Sequence, residues 1–286
     1  MSPATGIAGR RVVITGAARG IGALTARRLH QRGARVALLG IEPEDLEQVA
    51  TDCGDAPWFH CDVADRWQVD DAVAGAVERL GGLDVMIANA GIAAQLPLVG
   101  GDPRIFEQTM TVNALGTYYF VRAAAPHVSH PGGYALLTAS LAAAVHPPLM
   151  AAYSASKAAV EAIGDTLRAE LAHTGAKVGV AYYAELQTEM TTRGFGTEAA
   201  KRSPLGGNGH LPVTPVSNAI DALERGIAKR SRRIVAPRWV GLALPFRELV
   251  HRVVERVGQR NLPEILEIAR NEEAPLTTPQ EHRQRG

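Results

Sequence analysis

The chain has 286 residues, with 30 lysines and arginines against 29 aspartates and glutamates, and 46% of it is hydrophobic. A charge balance this even offers no field that would recruit nucleic acid, and no apolar run reaches the ~18 residues that a membrane-spanning helix needs. Two cysteines, Cys53 and Cys61, are too few for a disulfide framework and fit a reducing cytoplasm, while the length suffices for one large α/β domain or two small ones with a well-buried core.

The opening residues M-S-P-A-T-G-I-A-G-R-R lack the apolar centre of a signal peptide and run directly into a β-branched stretch, Arg11 to Thr15, read as the first strand. T-G-A-A-R-G-I-G follows at residues 15–22, then a helical pattern through Leu29. Strand, glycine-rich turn and helix is the context in which glycines have separate physical tasks. Gly16 permits the tight turn, Gly20 lets a pyrophosphate approach the backbone, and Gly22 allows close packing of helix on strand. The helix N-terminus then faces the anion. Alone such a turn is an ordinary loop; at the head of an alternating βα chain it points to a dinucleotide site.

A second strand, Arg35 to Leu39, ends in Gly40-Ile41-Glu42-Pro43. An acid closing this strand commonly holds the adenosine ribose of NAD, and a nearby arginine accommodates the 2′-phosphate of NADP. Gly40 occupies the acid's place, and Arg19 in the first turn is within reach of a 2′-phosphate, so the reading leans toward NADP; Glu42, if it folds back, argues for NAD. Trp58 to Cys61 reads as a third strand closed by Asp62-Val63, and Arg66 to Leu80 as a helix. Leu83 to Ala88 is a continuous apolar run of the kind that a parallel sheet covers on both faces, and it ends in Asn89-Ala90-Gly91. Asn113 falls inside a helical stretch from about Ile105 to Ala125; an asparagine there ordinarily faces water or bonds a neighbouring carbonyl.

Ala135 to Thr138 is a further strand, which delivers Ser140 to its end. Tyr153 and Lys157 stand four apart at the start of an Ala-rich helix running to about His173, so their side chains rise from one face. Taken singly they are a half-buried aromatic and a solvated charge. Together, an ammonium beside a phenol favours the phenolate and draws its pKa down from about 10, which suits a group that exchanges protons with a substrate oxygen. Lys177 to Tyr183 is a sixth strand. Thr188 to Pro215 is long, Gly- and Pro-bearing and aperiodic, and reads as a mobile lid over the substrate. Ser217 to Lys229 is helical, Arg233 to Ala236 a last strand, and Val240 to about Arg270 a helical tail broken by Pro245 and Pro263. The tail is amphipathic with several arginines; its apolar face is expected to cover a pocket or a neighbouring subunit rather than a membrane surface. The alternation argues one domain built on a parallel sheet.

With these residues in place, the chain resembles the short-chain dehydrogenase/reductase family over residues 8–240. The family's T-G-x-x-x-G-x-G matches residues 15–22, its Asp-Val matches Asp62 and Val63, its N-A-G matches residues 89–91, and its Asn-Ser-Tyr-Lys set matches Asn113, Ser140, Tyr153 and Lys157. The resemblance implies an α/β Rossmann fold: a doubly wound seven-stranded parallel sheet in three α/β/α layers, one NAD(P)-binding catalytic domain over 8–240, and a helical C-terminal extension over 241–286. Many members are homodimers or homotetramers.

The implied reaction is hydride transfer between a nicotinamide and a carbonyl or secondary alcohol carbon, with no metal. Tyr153 is then the proton donor and acceptor, Lys157 binds the nicotinamide ribose, Ser140 holds the substrate oxygen, and Asn113 holds a water that relays protons from Lys157. Gly16, Ala18, Arg19, Gly20, Ile21 and Gly22 take the pyrophosphate side; Asp62, Val63, Asn89, Ala90 and Gly91 take the adenosine side; Leu186 and Thr188 take the carboxamide. Three positions depart from the pattern: Gly40, Ala88 in place of the first asparagine of N-N-A-G, and Y-A-E-L-Q-T at 183–188 where many members carry P-G-x-V/I-x-T. Leu141, Val145, Pro147, Pro148, Leu149 and Met150 suggest an apolar substrate lining. Two other readings stand beside this one. A nucleotide-binding regulator of the same fold that has lost catalysis would be expected to lack Tyr or Lys. A nucleotide-sugar epimerase or dehydratase would carry an earlier G-x-x-G-x-x-G turn, which residues 16–22 do not match.

Overall fold

The computed structural model describes residues 6–188, 197–205, 213–272 and 276–277. Seven strands form one parallel sheet in the order β3-β2-β1-β4-β5-β6-β7: β1 Arg11–Thr15, β2 Arg35–Gly40, β3 Trp58–His60, β4 Val85–Ala88, β5 Tyr134–Thr138, β6 Lys177–Tyr183 and β7 Arg233–Ala236. The helices are α1 Gly20–Gln31, α2 Pro43–Asp52, α3 Arg66–Leu80, α4 Pro103–Met110, α5 Gly116–Ala124, α6 Ala151–Glu170, α7 Glu198–Arg202, α8 Val216–Lys229, α9 Val240–Ala243, α10 Arg247–Gly258 and α11 Leu262–Asn271. This is the Rossmann-like architecture that the sequence implies.

The apolar runs explain the layering. Successive side chains of a strand point to opposite faces, and the strands divide accordingly. Val13, Ala37, Leu39, Met86, Ala88, Ala135 and Leu137 join one core with α3, α5 and α6. Their neighbours Val12, Ile14, Val36, Leu38, Val85, Ile87, Tyr134 and Leu136 join the other with α1, α2 and α8. A strand buried on both faces has no polar alternation, so a run such as Val-Met-Ile-Ala is diagnostic of a sheet covered on both sides. β1 pairs with β2 and β4 through Val12, opposite Val36 and Val85. The chain reverses its winding direction between β1 and β4, and the crevice outside the strand ends there is where ligands of such sheets bind.

Some boundaries differ from the sequence reading. The third strand stops at His60, although the Cys61 amide still donates to the Gly40 carbonyl at 2.7 Å. The stretch expected as one helix over 105–125 is α4 and α5 joined by a π-helical turn, Thr111–Leu115. The tail is interrupted at Asn261, which takes φ +56°, and Pro263 sits in the first turn of α11, where its missing N–H costs nothing. Within the segment expected to be an aperiodic lid, the described residues include helix α7, whose Ala199 packs with Ile265 of α11 and Leu149. Residues 189–196 and 206–212 of that expected lid lie outside the described residues. The C-terminal extension is tied to the sheet: Arg247 donates to both carboxylate oxygens of Glu161 on α6, at 2.8 and 3.2 Å, and the Tyr182 hydroxyl donates to the same carboxylate at 2.8 Å. Val240 and Leu244 enter the core itself.

Candidate active site

A cavity of about 440 Å³ opens at the carboxyl ends of β1, β2, β4, β5 and β6. At one end lies the glycine turn. Gly16 and Gly20 hold φ +62° and +55°, the left-handed region in which a side chain is strained. A Cβ on Gly22 would lie 2.0 Å from the Gly16 carbonyl oxygen, so that position closes the turn against the helix; a Cβ on Gly20 would meet nothing within 4 Å, because it faces the cavity. The N-cap residue of α1, Arg19, makes no side-chain cap and the first turn carries no acid, which suits the amides of that turn to an anion. These features fit a dinucleotide pyrophosphate.

The walls next to the turn collect the other expected nucleotide residues. Ala18, Arg19, Ile21, Asp62 and Val63 line the cavity, as do Asn89, Ala90 and Gly91. Asn89 braces the turn by donating to the carbonyls of Thr15 and Gly16 at 3.1 and 3.3 Å, and the Thr15 hydroxyl accepts the Asn89 and Ala90 amides at 3.0 and 3.1 Å. Asp62 accepts the Ala64 amide at 2.9 Å, which fixes the loop after β3. Arg19 and Glu42, the residues read as favouring NADP and NAD respectively, pair with each other at 3.2 Å. Arg19 also donates to the Thr277 carbonyl at 3.3 Å, and Thr277 exchanges two hydrogen bonds with the backbone of Ala93, at 3.1 and 3.2 Å. Nothing in the sequence pattern places Thr277 here.

At the centre, the strand end of β5 and the face of α6 bring Ser140, Tyr153 and Lys157 to one wall. Ser140 is held by the Ala142 amide, which donates to its hydroxyl at 3.1 Å, and it reaches the Tyr183 carbonyl at 3.3 Å. Its side chain also hydrogen-bonds the Tyr153 phenol. The Lys157 ammonium donates to the Thr138 carbonyl at 2.9 Å and lies 5.7 Å from the centroid of the Tyr153 ring. Burial moves both groups toward neutrality. It pushes the Tyr153 phenol above its ordinary value, a change that the Ser140 hydrogen bond only partly opposes, and it lowers Lys157 to about 8. The phenol therefore holds its proton more tightly than spacing alone predicts, because desolvation is the largest cause acting on it.

Asn113 sits behind this wall, fully buried in the π-helical turn. Its Oδ1 accepts the Ile92 amide at 2.8 Å, and its Nδ2 donates to the Ile92 carbonyl and the Ser156 hydroxyl, each at 2.9 Å. Ser156 in turn donates to the Tyr153 carbonyl at 2.8 Å. Both amide hydrogens are thus committed to joining the loop after β4 to the first turn of α6, and Thr117 donates to the Asn113 carbonyl at 2.7 Å. A wider π turn moves a side chain out of helical register, which is how an asparagine inside a helix reaches this inward position.

The far half of the cavity is apolar. Leu141, Val145, Pro147, Pro148, Leu149 and Met150 line it as expected, and Leu186 and Thr188 border it after β6. Leu149 holds φ +67° while its carbonyl accepts the Leu96 amide at 3.0 Å, a strained conformation maintained at the cavity wall. Trp239, just before the C-terminal extension, and Val250 and Val254 within it close this half, none of them foreseen individually. Among the described residues, no group of three or more His, Cys, Asp or Glu side chains is arranged to hold a metal, and no helix is long and apolar enough to cross a membrane.

Comparisons with known proteins agree with this geometry. The family model described as short chain dehydrogenase matches residues 10–199. The chain is 35% identical over 199 residues to a short-chain dehydrogenase reductase of Arabidopsis thaliana, a match covering 68% of this chain and 66% of that protein's own length. Among solved structures, a short chain dehydrogenase from Burkholderia cenocepacia in complex with NADP superposes with a TM-score of 0.72 at 28% identity, covering 87% of this chain and 98% of the other. A dehydrogenase/reductase from Sinorhizobium meliloti gives a TM-score of 0.71 at 28% identity, covering 82% of this chain and 97% of the other.

Proposed function

The chain belongs to the short-chain dehydrogenase family, and from that premise we propose that it is an NAD(P)-dependent oxidoreductase interconverting a ketone and a secondary alcohol on an apolar substrate. The observation that carries this reading is the convergence of Ser140, Tyr153 and Lys157 on one wall of the cavity, between the glycine turn and the apolar half. The bound cofactor supplies or takes up a hydride at its nicotinamide ring. In the reductive direction Ser140 donates a hydrogen bond to the substrate carbonyl oxygen, orienting it, while Tyr153 transfers its phenolic proton to that oxygen as the carbon accepts hydride; the product is the secondary alcohol. Burial favours the protonated phenol, the form that gives a proton, and the oxidative direction needs the phenolate and gains as pH rises. Lys157, held by Thr138, presents an ammonium to the nicotinamide ribose. Asn113 fixes the backbone on which Tyr153 stands and holds a water that relays protons outward from Lys157.

The reading leans toward NADP because Gly40 takes the place of the acid that would repel a 2′-phosphate and Arg19 stands at that end of the cavity, while Glu42, which lines the same cavity and pairs with Arg19, keeps NAD as the alternative. Gly16, Gly20 and the α1 amides hold the pyrophosphate, Asp62, Val63, Asn89, Ala90 and Gly91 the adenosine half, and Leu186 and Thr188 the carboxamide. Residues 8–240 act as the catalytic unit and 241–286 as an extension over the substrate, a reading supported by Val250 and Val254 in the cavity wall. A homodimer or homotetramer is supported by exposed Leu115 and Tyr118 beside and on α5, and a cytoplasmic setting by two buried, unpaired cysteines. The test is Tyr153→Phe. Loss of a positioned acid/base lowers turnover of a ketone about 10²- to 10⁴-fold while NADPH binding, followed by nicotinamide fluorescence, stays unchanged. Turnover near wild type with the cofactor bound removes the assignment.

A further inference from the structure

Charged groups are sparse in the cavity wall, and nearly all have a polar partner where they stand. Arg19 and Glu42 pair at 3.2 Å, Asp62 accepts the Ala64 amide, and Lys157 donates to Thr138. Glu185 differs. It lines the same cavity as Ser140 and Tyr153, yet its carboxylate has no hydrogen bond or ion pair among the described residues. Its backbone is nonetheless fixed: the Thr214 amide donates to the Glu185 carbonyl at 3.0 Å, and Leu186 forms a parallel bridge with Thr214. It follows Tyr183 and Ala184, whose amide donates to Ala236 at 3.0 Å, so the end of β6 sets its position. Half-burial pushes its carboxyl up from the ordinary value, and no neighbouring charge opposes this.

A half-buried carboxylate without a partner costs stability unless a ligand completes it. The same cavity is lined by the apolar Leu141, Val145, Leu149, Met150 and Val254, and among its side-chain donors Gln95, Ser203 and the Trp239 indole make no hydrogen bond to Glu185. We infer that Glu185 is a specificity-determining residue, and that the substrate is an amphiphilic ketone or alcohol with an apolar body and a protonated amine that Glu185 receives. The inference rests on the reading that the reacting carbonyl lies at Ser140 and Tyr153. It adds no step to the reaction: the amine keeps its proton throughout, and the carboxylate only binds and orients. An ammonium is preferred over a neutral donor because a charge-assisted hydrogen bond to a carboxylate is about twice as strong as a neutral one.

The experiment uses the full chain with NADPH and two aryl alkyl ketones that differ only in a terminal amine or methyl group. For wild type, kcat/KM is expected to favour the amine by about tenfold or more, the size of one charged hydrogen bond. Glu185→Gln is expected to abolish that preference and leave the methyl ketone within about twofold; Glu185→Asp, which keeps the charge, restores part of it. Equal rates for the two ketones in wild type, or an equal loss for both in Glu185→Gln, overturns the inference. Weaker NADPH binding by Glu185→Gln also overturns it, by assigning the carboxylate to the nicotinamide amide. Calorimetric titration of the two corresponding alcohols onto the NADP-loaded protein reads the same preference without turnover. A chain that binds the amino alcohol selectively but reduces neither ketone would refute the oxidoreductase reading and leave Glu185 as the amine site; one that reduces the methyl ketone and ignores the amine would do the reverse.

Discussion

Lys157 allows a test that needs no knowledge of the substrate. The residue is 4% exposed, its ammonium donates to the Thr138 carbonyl, and burial lowers its pKa from 10.5 to about 8. The unfolded chain therefore binds this proton more tightly than the folded one between those two values, and stability attributable to the group rises with pH across that window. A tenfold change in proton affinity is worth about 1.4 kcal/mol, so the fall from 10.5 to about 8 amounts to roughly 3 kcal/mol of destabilisation by the charged lysine below pH 8, most of it relieved by about pH 10. Lys157→Met replaces the ammonium by an apolar side chain of similar length. The variant is expected to be more stable than wild type at about pH 7 by a few kcal/mol, with the gap closing as pH rises. Urea unfolding followed by circular dichroism at about pH 7, 8 and 9.5 measures it. The buried tyrosines do not confuse the comparison: Tyr153, Tyr134, Tyr182 and Tyr183 are all pushed above 10, so they oppose stability only at still higher pH, and Tyr134, Tyr182 and Tyr183 do so equally in both proteins. A gap that stays constant, or widens with pH, would refute the placement of a desolvated ammonium at this wall.

Two further outcomes are expected. On the proposed reading, in which Arg19 meets the 2′-phosphate, Arg19→Ala should weaken NADPH binding about tenfold, the worth of one charged hydrogen bond, and leave NADH within about twofold; Glu42→Gln, which removes the carboxylate 3.2 Å from Arg19, should tighten NADPH. Fluorescence titration with both nucleotides decides, and equal effects on the two would show that Arg19 does not discriminate. Burial pushes Cys53 up to about 11 and Cys61 up to about 12, so neither presents a thiolate near neutral pH. A thiol-disulfide reagent at about pH 8 should label neither in the folded protein and both after denaturation; rapid labelling of the native protein would contradict the packing of both side chains.

How much of this is legible in the sequence follows from what each signal encodes. The strands announce themselves because double burial removes polar alternation, and the two cores divide Val12 from Val13 as period two requires. The glycine turn and the Ser140, Tyr153 and Lys157 set are legible because each lies at a strand end or on one helix face, where spacing and geometry coincide. The cover supplied by Trp239, Val250 and Val254 is not, since an amphipathic pattern says that a face is buried without saying against what. Asn113 reads as an ordinary helical asparagine because a single π turn leaves no periodic trace. Glu185 lies in a segment that stands out in the sequence only for its missing Pro and Gly.

The direction in which the Tyr153 pKa moves shows the same limit in energetic form. Spacing places an ammonium near the phenol, and from spacing alone the Coulomb interaction should lower its pKa. Burial is invisible at that level, and it acts on both partners, raising the acid and lowering the base. A low-dielectric wall strengthens attraction between charges but penalises forming each of them. Desolvation is the largest cause for each of the two groups, so the proton stays on the tyrosine while the lysine gives up its own more readily. That arrangement suits a donor which must keep its proton until a substrate oxygen takes on negative charge. On the proposed reading, the Lys157 side of the wall, braced by Thr138 and adjoining Gly91 and Asn113, is the side from which the spent phenolate is reprotonated.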